Sequence, residues 1–365
     1  MLFSQPVTQN SLRWGRFLVL IPLMLTEHGH ATDTAAAAIT ATAVRAERQL
    51  ERARDAALRL DYAGIVLQQL GPNAQTLRIT HMADAIGLPG SSDSTGSTGT
   101  SGSTGAHSDI TRVQPLEGPP RDMVRQGARV TWYLPQERVV IHDQLTGTPG
   151  FPVLSFGSAS ALLAHYRTRS LINDRVAGRS SEVLQLQPVD GLRYGYRLWF
   201  DAATGLLLRF QSISEAGQVV AQTGFSQLAV WPTSAKRFQW REPDLRGWRT
   251  ERAVTGPADP LAWSFRLPEG FSRISASRRR VGNAPGSAGD AREVLQILCS
   301  DGLAGISIFI EPWSEANSTR PVQHGAVNVI GKRVGRFWLT IVGETPMAAL
   351  RLVADSVEFT APAIK

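Results

Sequence analysis

From Tyr62 onward the chain is cut into short runs of alternating apolar and polar residues, and the turns between them are too short to cross a sheet. Tyr62–Leu70 and Gln75–Thr80 are joined by Gly71-Pro72-Asn73. Val183–Pro188, Tyr194–Asp201, Gly205–Ser214 and Val219–Val230 are joined through Asp190-Gly191, Asp201–Gly205 and Glu215–Gly217. A parallel pair needs a crossover of a dozen or more residues, so connections this short join antiparallel neighbours. Ala128–Leu134 and Arg138–His142 read as further strands. Two segments carry helical spacing instead. Thr42–Leu60 repeats Leu50, Ala53, Ala57 and Leu60 on one face, and Ser158–Thr168 places Leu162, Leu163 and Tyr166 together. The expected class is α+β and β-rich, a large curved antiparallel sheet with covering helices.

The pattern breaks in two places. Residues 89–108 enclose the tract Gly90–Gly105, almost wholly Gly, Ser and Thr. It has no apolar groups to offset its ordering entropy and reads as a flexible insertion, a lengthened hairpin loop between strands. Residues 233–259 are polar, basic and interrupted by proline, which reads as a linker. The first domain is then expected over 42–232 and a second, small α+β domain over 260–358. The second unit opens at Trp263–Pro268, and in it Val294–Ser300, Leu303–Glu311, Ala326–Ile330 and Phe337–Gly343 read as strands. A helix follows over Pro346–Val357, with Pro346 at its opening.

Arg13 and Arg16 precede the apolar run Phe17–Leu25, and small residues follow. This is the layout of a secretory signal, with cleavage expected after Ala31 or within Ala35–Ala38. Nine residues at ~1.5 Å rise cover about half of a ~30 Å hydrocarbon core, so the run is too short to span a membrane. The mature protein is expected in the periplasm and not spanning the membrane.

The search for chemistry comes back empty. No dinucleotide fingerprint or Walker loop is present, and the Gly/Ser tract lacks the lysine that a phosphate loop needs. His81, His107, His142, His165 and His324 are dispersed, without zinc spacing. No cluster of His, Asp and Glu lies near Cys299 in sequence, and it reads as a buried strand residue. Asp301-Gly302 reads as a two-residue hairpin turn. The expectation is no catalytic residue, no metal and no cofactor. A formal charge of +7 and a pI near 10.1 invite a nucleic-acid reading. The arginines are scattered along strands and loops, however, which reads first as a solvated basic surface and otherwise as one that meets an acidic segment or anionic headgroups, not nucleic acid.

In order and spacing, several short stretches resemble the MucB/RseB family. They include Leu60–Gly64, Leu77–Ile79, Leu116–Arg121, Tyr133–Pro135, Arg175–Arg179, Asp190–Asp201 and Thr204–Arg209 in the first domain. In the second they are Leu267–Phe271, Ser300–Leu303, Phe309–Glu311, Gly325–Asn328 and Val342–Glu344. The resemblance implies a first domain similar to the LolA-like lipoprotein carriers, a half-barrel sheet backed by helices. It also implies a partner: the periplasmic domain of a membrane anti-sigma factor, shielded from the site-one protease and released by lipid or lipopolysaccharide. The Gly/Ser tract, Cys299 and the segment Arg278–Gly289 depart from the pattern.

Two sets of residues are candidates for binding. Arg246, Arg249 and Arg252 in the linker, with Arg278, Arg279 and Arg280 beside glycine and proline breaks, are expected to dock the partner. Tyr196, Leu198, Phe200, Leu206, Leu208 and Phe210 alternate along neighbouring strands and would line an apolar concavity for acyl chains, unless covering helices fill it. Two further readings compete with regulation. One is a periplasmic lipid or lipoprotein carrier, from which the second domain distinguishes this chain. The other is a cell-envelope hydrolase, which the empty motif search disfavours.

Overall fold

The computed structural model describes residues 30–85, 108–144, 150–231, 242–257, 262–281, 292–315, 317 and 320–359. Residues 41–365 form one compact unit and residues 1–40 another. The segment expected to be a signal sequence and the Gly/Ser tract lie almost wholly outside the described residues.

Helix α1 (His30–Arg59) begins before the expected Thr42. From Ala41 on it buries Ala46, Leu50, Ala53, Ala56 and Ala57, one side of the helix. Eleven strands follow: β1 (Asp61–Leu70), β2 (Asn73–Ala85), β3 (Ser108–Pro115), β4 (Asp122–Gln126), β5 (Arg129–Leu134), β6 (Val139–Gln144), β7 (Tyr166–Val176), β8 (Arg179–Pro188), β9 (Gly195–Asp201), β10 (Leu207–Ile213) and β11 (Val219–Trp231). β1–β6 and β7–β11 are two antiparallel meanders, joined where β11 pairs with β1. β2 and β3, on either side of the Gly/Ser tract, are antiparallel partners from Leu77↔Pro115 to Ala85↔Ser108, the pairing a hairpin requires.

The second sheet has seven strands, in the order β13 (Val254–Pro257), β15 (Ser272–Val281), β16 (Arg292–Ser300), β17 (Gly305–Pro312), β20 (Phe337–Gly343), β19 (Val327–Val334), β18 (Val322–His324). Helix α3 (Met347–Ser356) packs Ala349, Leu350, Val353 and Ala354 onto Ile297, Ile306, Ile308, Leu339 and Ile341. A two-stranded ribbon, β14 (Trp263–Ser264) with β21 (Glu358–Phe359), closes the edge of this core. Cys299 is fully buried within it. Burial pushes its thiol up to about 11, against the pull of Arg273, so it stays protonated.

Three expectations need correction. The helix expected over Ser158–Thr168 is only α2 (Ala159–Leu163), and β7 begins at Tyr166. Leu162 and Tyr166 both enter the same core, so their spacing mimicked a helix across a helix–strand junction. Asp301-Gly302 is not a two-residue turn. The loop between β16 and β17 spans four residues, closed by Asp301 Oδ1 accepting from the Leu303 and Ala304 amides. The segment read as a linker contains β12 (Arg249–Arg252), which joins the large sheet parallel to β6 as its twelfth strand, and then β13. Leu245 and Trp248 anchor it by packing on Ile110, Val124, Tyr133 and Val140, and the Tyr133 hydroxyl donates to Glu242 at 3.0 Å.

Candidate functional site

The β8–β9 connection and the β16–β17 loop meet at a buried joint between the two sheets. Arg193, fully buried, ion-pairs with Asp301 at 3.1 Å, and the Asp301 side chain is itself only 1% exposed. Arg193 also pairs with Asp190 at 3.0 Å, donates to the Glu269 carbonyl at 2.5 Å, and lies over the rings of Tyr166 and Phe271. The Tyr166 hydroxyl donates to Asp301 at 3.3 Å. Burial, reinforced by the Asp301 charge, raises the Tyr166 pKa far above the ordinary phenol value, so the hydroxyl keeps its proton. Further along the joint, Asn328 donates to the Tyr194 hydroxyl at 3.0 Å, and Asn73 meets His324 at 2.9 Å. Gly325 takes φ +59° with its backbone against Gly71 and Val220, a contact with no room for a side chain.

Beside this joint the sheets part. One cavity, about 550 Å³, lies between β4–β6 of the large sheet and β15–β17, β19 and β20 of the small one. Its lining mixes Val130, Trp132, Leu298 and Val342 with the charged groups Arg125, Asp143, Arg279 and Glu344. A second cavity, about 490 Å³, runs over β1, β2, β10 and β11, lined by Leu70, Phe210 and several glutamines, with His324 and Glu344 from the other side. Glu344 lines both. Together they form a groove between the sheets, with apolar walls and amide groups along them, the mixture that recognition sites use.

The charges in the groove are mostly spoken for. Arg125 donates to Asp109 at 2.5 Å and to the Thr111 hydroxyl at 2.8 Å. Arg279 of β15 meets Asp143 of β6 at 2.6 Å and thereby ties the two sheets together. Next to Arg125, His81 is buried, stacked on Tyr62 and bonded to Thr111. Desolvation holds its pKa below the ordinary histidine value, so the ring is neutral.

The arginines expected to dock a partner are not gathered in one loop. Arg246 is exposed and paired with Asp244 at 2.6 Å, and Arg249 of β12 pairs with Glu251 at 2.7 Å. Arg252 is exposed on the same strand. Arg278, Arg279 and Arg280 lie within β15, where Arg278 pairs with Glu293 at 3.5 Å. Of the six, Arg279 lines the groove. The expected display loop is instead strand β15, whose arginines hide the apolar alternation by which strands are read.

The six apolar candidates are also redistributed. Tyr196, Leu198 and Phe200 lie in one core with Leu50 and Ala53 of α1 and with Leu154, Phe156 and Leu162. Leu206 and Leu208 are fully buried in a second core with Ala56, Ala57, Tyr62 and Val66. The register shift between Leu207 and Arg209 explains the split, because the extra residue puts Leu208 out of step with Phe210. Helix and loop fill the concavity over these five, and Phe210 alone of the six reaches the groove. The joint residues Arg193, Tyr194, Asp301 and Asn328 escaped the functional reading of the sequence, although all four lie in stretches that carry the family resemblance.

Among the described residues no three His, Cys, Asp or Glu side chains converge to hold a metal, and no helix is long and apolar enough to cross a membrane. Fold and site define a β-rich protein of two sheets with an intersheet groove. Residues 102–243 match a family model described as MucB/RseB N-terminal domain, and residues 257–358 match MucB/RseB C-terminal domain. The chain belongs to the MucB/RseB family. It is 34% identical over 234 residues to the sigma factor AlgU regulatory protein MucB of Pseudomonas aeruginosa, covering 61% of this chain and 70% of that protein. With the sigma-E factor regulatory protein RseB of Salmonella typhimurium it shares 26% over 257 residues, 69% of this chain and 78% of that one. The fold resembles a crystal structure of MucB in complex with MucA(peri), with a TM-score of 0.60 at 24% identity, over 87% of this chain and all (100%) of that one.

Proposed function

We propose that this chain is an exported regulator that binds the periplasmic segment of a membrane-spanning anti-sigma factor in the groove between its sheets and shields it from proteolysis. One observation carries the reading. The N- and C-terminal family models match in order, and the groove is walled by residues from both matched regions, Arg125 and Trp132 on one side and Arg279, Leu298 and Glu344 on the other. Relatives are named as sigma-factor regulators, and a structural neighbour is a MucB–MucA(peri) complex. An extended segment in such a groove is covered from two sides. A protease must hold the same extended backbone in its own cleft, so occupancy of one excludes the other. This is binding without catalysis, consistent with a protonated, buried Cys299 and with histidines that serve packing and hydrogen bonds.

Export follows from the N-terminal charge and apolar run, and the mature chain should begin near Thr32 in the osmotic-shock fraction. Release by lipid or lipopolysaccharide is part of the same proposal. If lipid and partner prefer different arrangements of the sheets, each weakens the other reciprocally, typically by ~1–3 kcal/mol. Calorimetric titration of the mature chain with the anti-sigma segment tests the reading. Saturable binding, weakened by lipopolysaccharide fragments, is expected. No binding at about a hundred-micromolar concentration, weaker than ~5 kcal/mol, would remove the regulatory reading.

A further inference from the structure

Among the described residues, the groove contains one charge that no side chain answers. Arg125 is engaged by Asp109, Arg279 by Asp143, and His324 is bonded to Asn73. Glu344, at the end of β20, gives its backbone amide to Gly305, but its carboxylate makes no hydrogen bond or ion pair among the described residues. It lines both cavities and so stands where they meet. The side chain touches solvent because the groove is open. The protein packed around the groove still desolvates it in part, and that raises its pKa. Water solvates the carboxylate while the groove is open, and a ligand that displaces this water must put a cation or strong donor in its place.

We propose that Glu344 is the anchor for a basic side chain, a lysine or arginine, carried by an otherwise apolar extended segment lying along the groove. The inference rests on the groove being the partner site, and it names the partner's chemistry there. The arrangement is selective by elimination. An acidic ligand would meet Glu344, and the arginines that line the groove among the described residues, Arg125 and Arg279, are already neutralised. An apolar ligand would bury the carboxylate unpaired, and the group would have to take up a proton. A lysine or arginine satisfies it directly, while its apolar stem and neighbours meet walls such as Trp132, Leu298 and Phe210. The segment Val342–Glu344 stood out in the sequence only as a family stretch, and this gives it a physical role.

Two arms test the inference on the full mature chain. In the first, the anti-sigma periplasmic segment is titrated into wild type, Glu344→Gln and Glu344→Lys. Loss of a charge-assisted contact predicts binding about tenfold weaker or more in Glu344→Gln. Replacing one basic residue of the segment by norleucine should reproduce that loss in wild type and add nothing further in Glu344→Gln. In the second arm, n-butylammonium, a lysine side chain in miniature, is titrated while the Glu344 carboxyl carbon is followed by NMR, with n-butanol as the neutral control. A saturable shift with the amine and none with the alcohol is expected. If the segment binds wild type and Glu344→Gln equally, the inference falls and the regulatory reading stands. If the segment fails to bind wild type while butylammonium still titrates Glu344, the reading falls and the cation site stands. Equal responses to amine and alcohol overturn the inference outright. Circular dichroism on each variant confirms that folding is retained, as an exposed position predicts.

Discussion

Removing Asp301 should cost the protein more than any surface charge, because it leaves a buried arginine half-answered. Asp301 accepts from Arg193, from the Tyr166 hydroxyl, and from the amides of Leu303 and Ala304. In Asp301→Ala, Arg193 keeps Asp190 and the Glu269 carbonyl beside the rings of Tyr166 and Phe271, and the Asp190 side chain is 28% exposed. Breaking a buried pair from one side costs about 3–5 kcal/mol. Asp190 offsets part of that, while the two orphaned amides add roughly 1 kcal/mol each, so about 4 kcal/mol is expected. At roughly 2–4 °C per kcal/mol, the melting temperature should fall by about 8–16 °C in differential scanning calorimetry. Replacing both partners, as in Arg193→Met with Asp301→Asn, should cost less than the sum of the single changes by about 2 kcal/mol. A single-variant loss under about 1 kcal/mol, or strictly additive effects, would show that the joint does not hold the two sheets together.

Other expectations follow from the same contacts. His81 is neutral in the fold because burial depresses its pKa, so the unfolded chain binds the extra proton first. Stability should be full above the unfolded value of about 6.5 and fall as pH drops below it, by up to ~1.4 kcal/mol per unit. His142, depressed by burial and by Arg129 and Arg252, acts in the same direction, so His81→Asn should flatten the slope between about pH 6.5 and 5 in urea melts without abolishing it. Gly325→Ala puts a methyl 2.4 Å from the Gly71 nitrogen at positive φ, and thermal melts should show a loss of about 2 kcal/mol or more. Trp248→Ala should expose β12 and β6 to amide hydrogen exchange while the small sheet keeps its protection.

The large sheet was legible because its turns are short and its strands alternate, and the register of β8–β11 follows those turns. β7 and β15 were not read as strands. Each is rich in arginine and lies at or near a sheet edge, and the charged side chains break up the period-two signal. The acyl-chain concavity was overestimated for a related reason. Tyr196, Leu198 and Phe200 do face one side together, but the sequence does not say that α1 lies over them. The groove could not be read at all, since it is walled by residues as distant as Arg125 and Glu344, whose meeting is a tertiary fact. Asp301 was read as a turn residue, which it is. Its second role, as partner to Arg193 across 108 positions, leaves no local trace.

Proteolysis measures protection of the partner segment directly. The anti-sigma periplasmic segment, displayed in its membrane-anchored protein, is exposed to the site-one protease at increasing concentrations of the mature chain, with binding followed in parallel. The cleavage rate should fall in proportion to the fraction bound and reach a low plateau at saturation. It should recover when Glu344→Gln or Asp301→Ala is substituted at the same concentration. Cleavage at an undiminished rate with the segment fully bound would contradict the account.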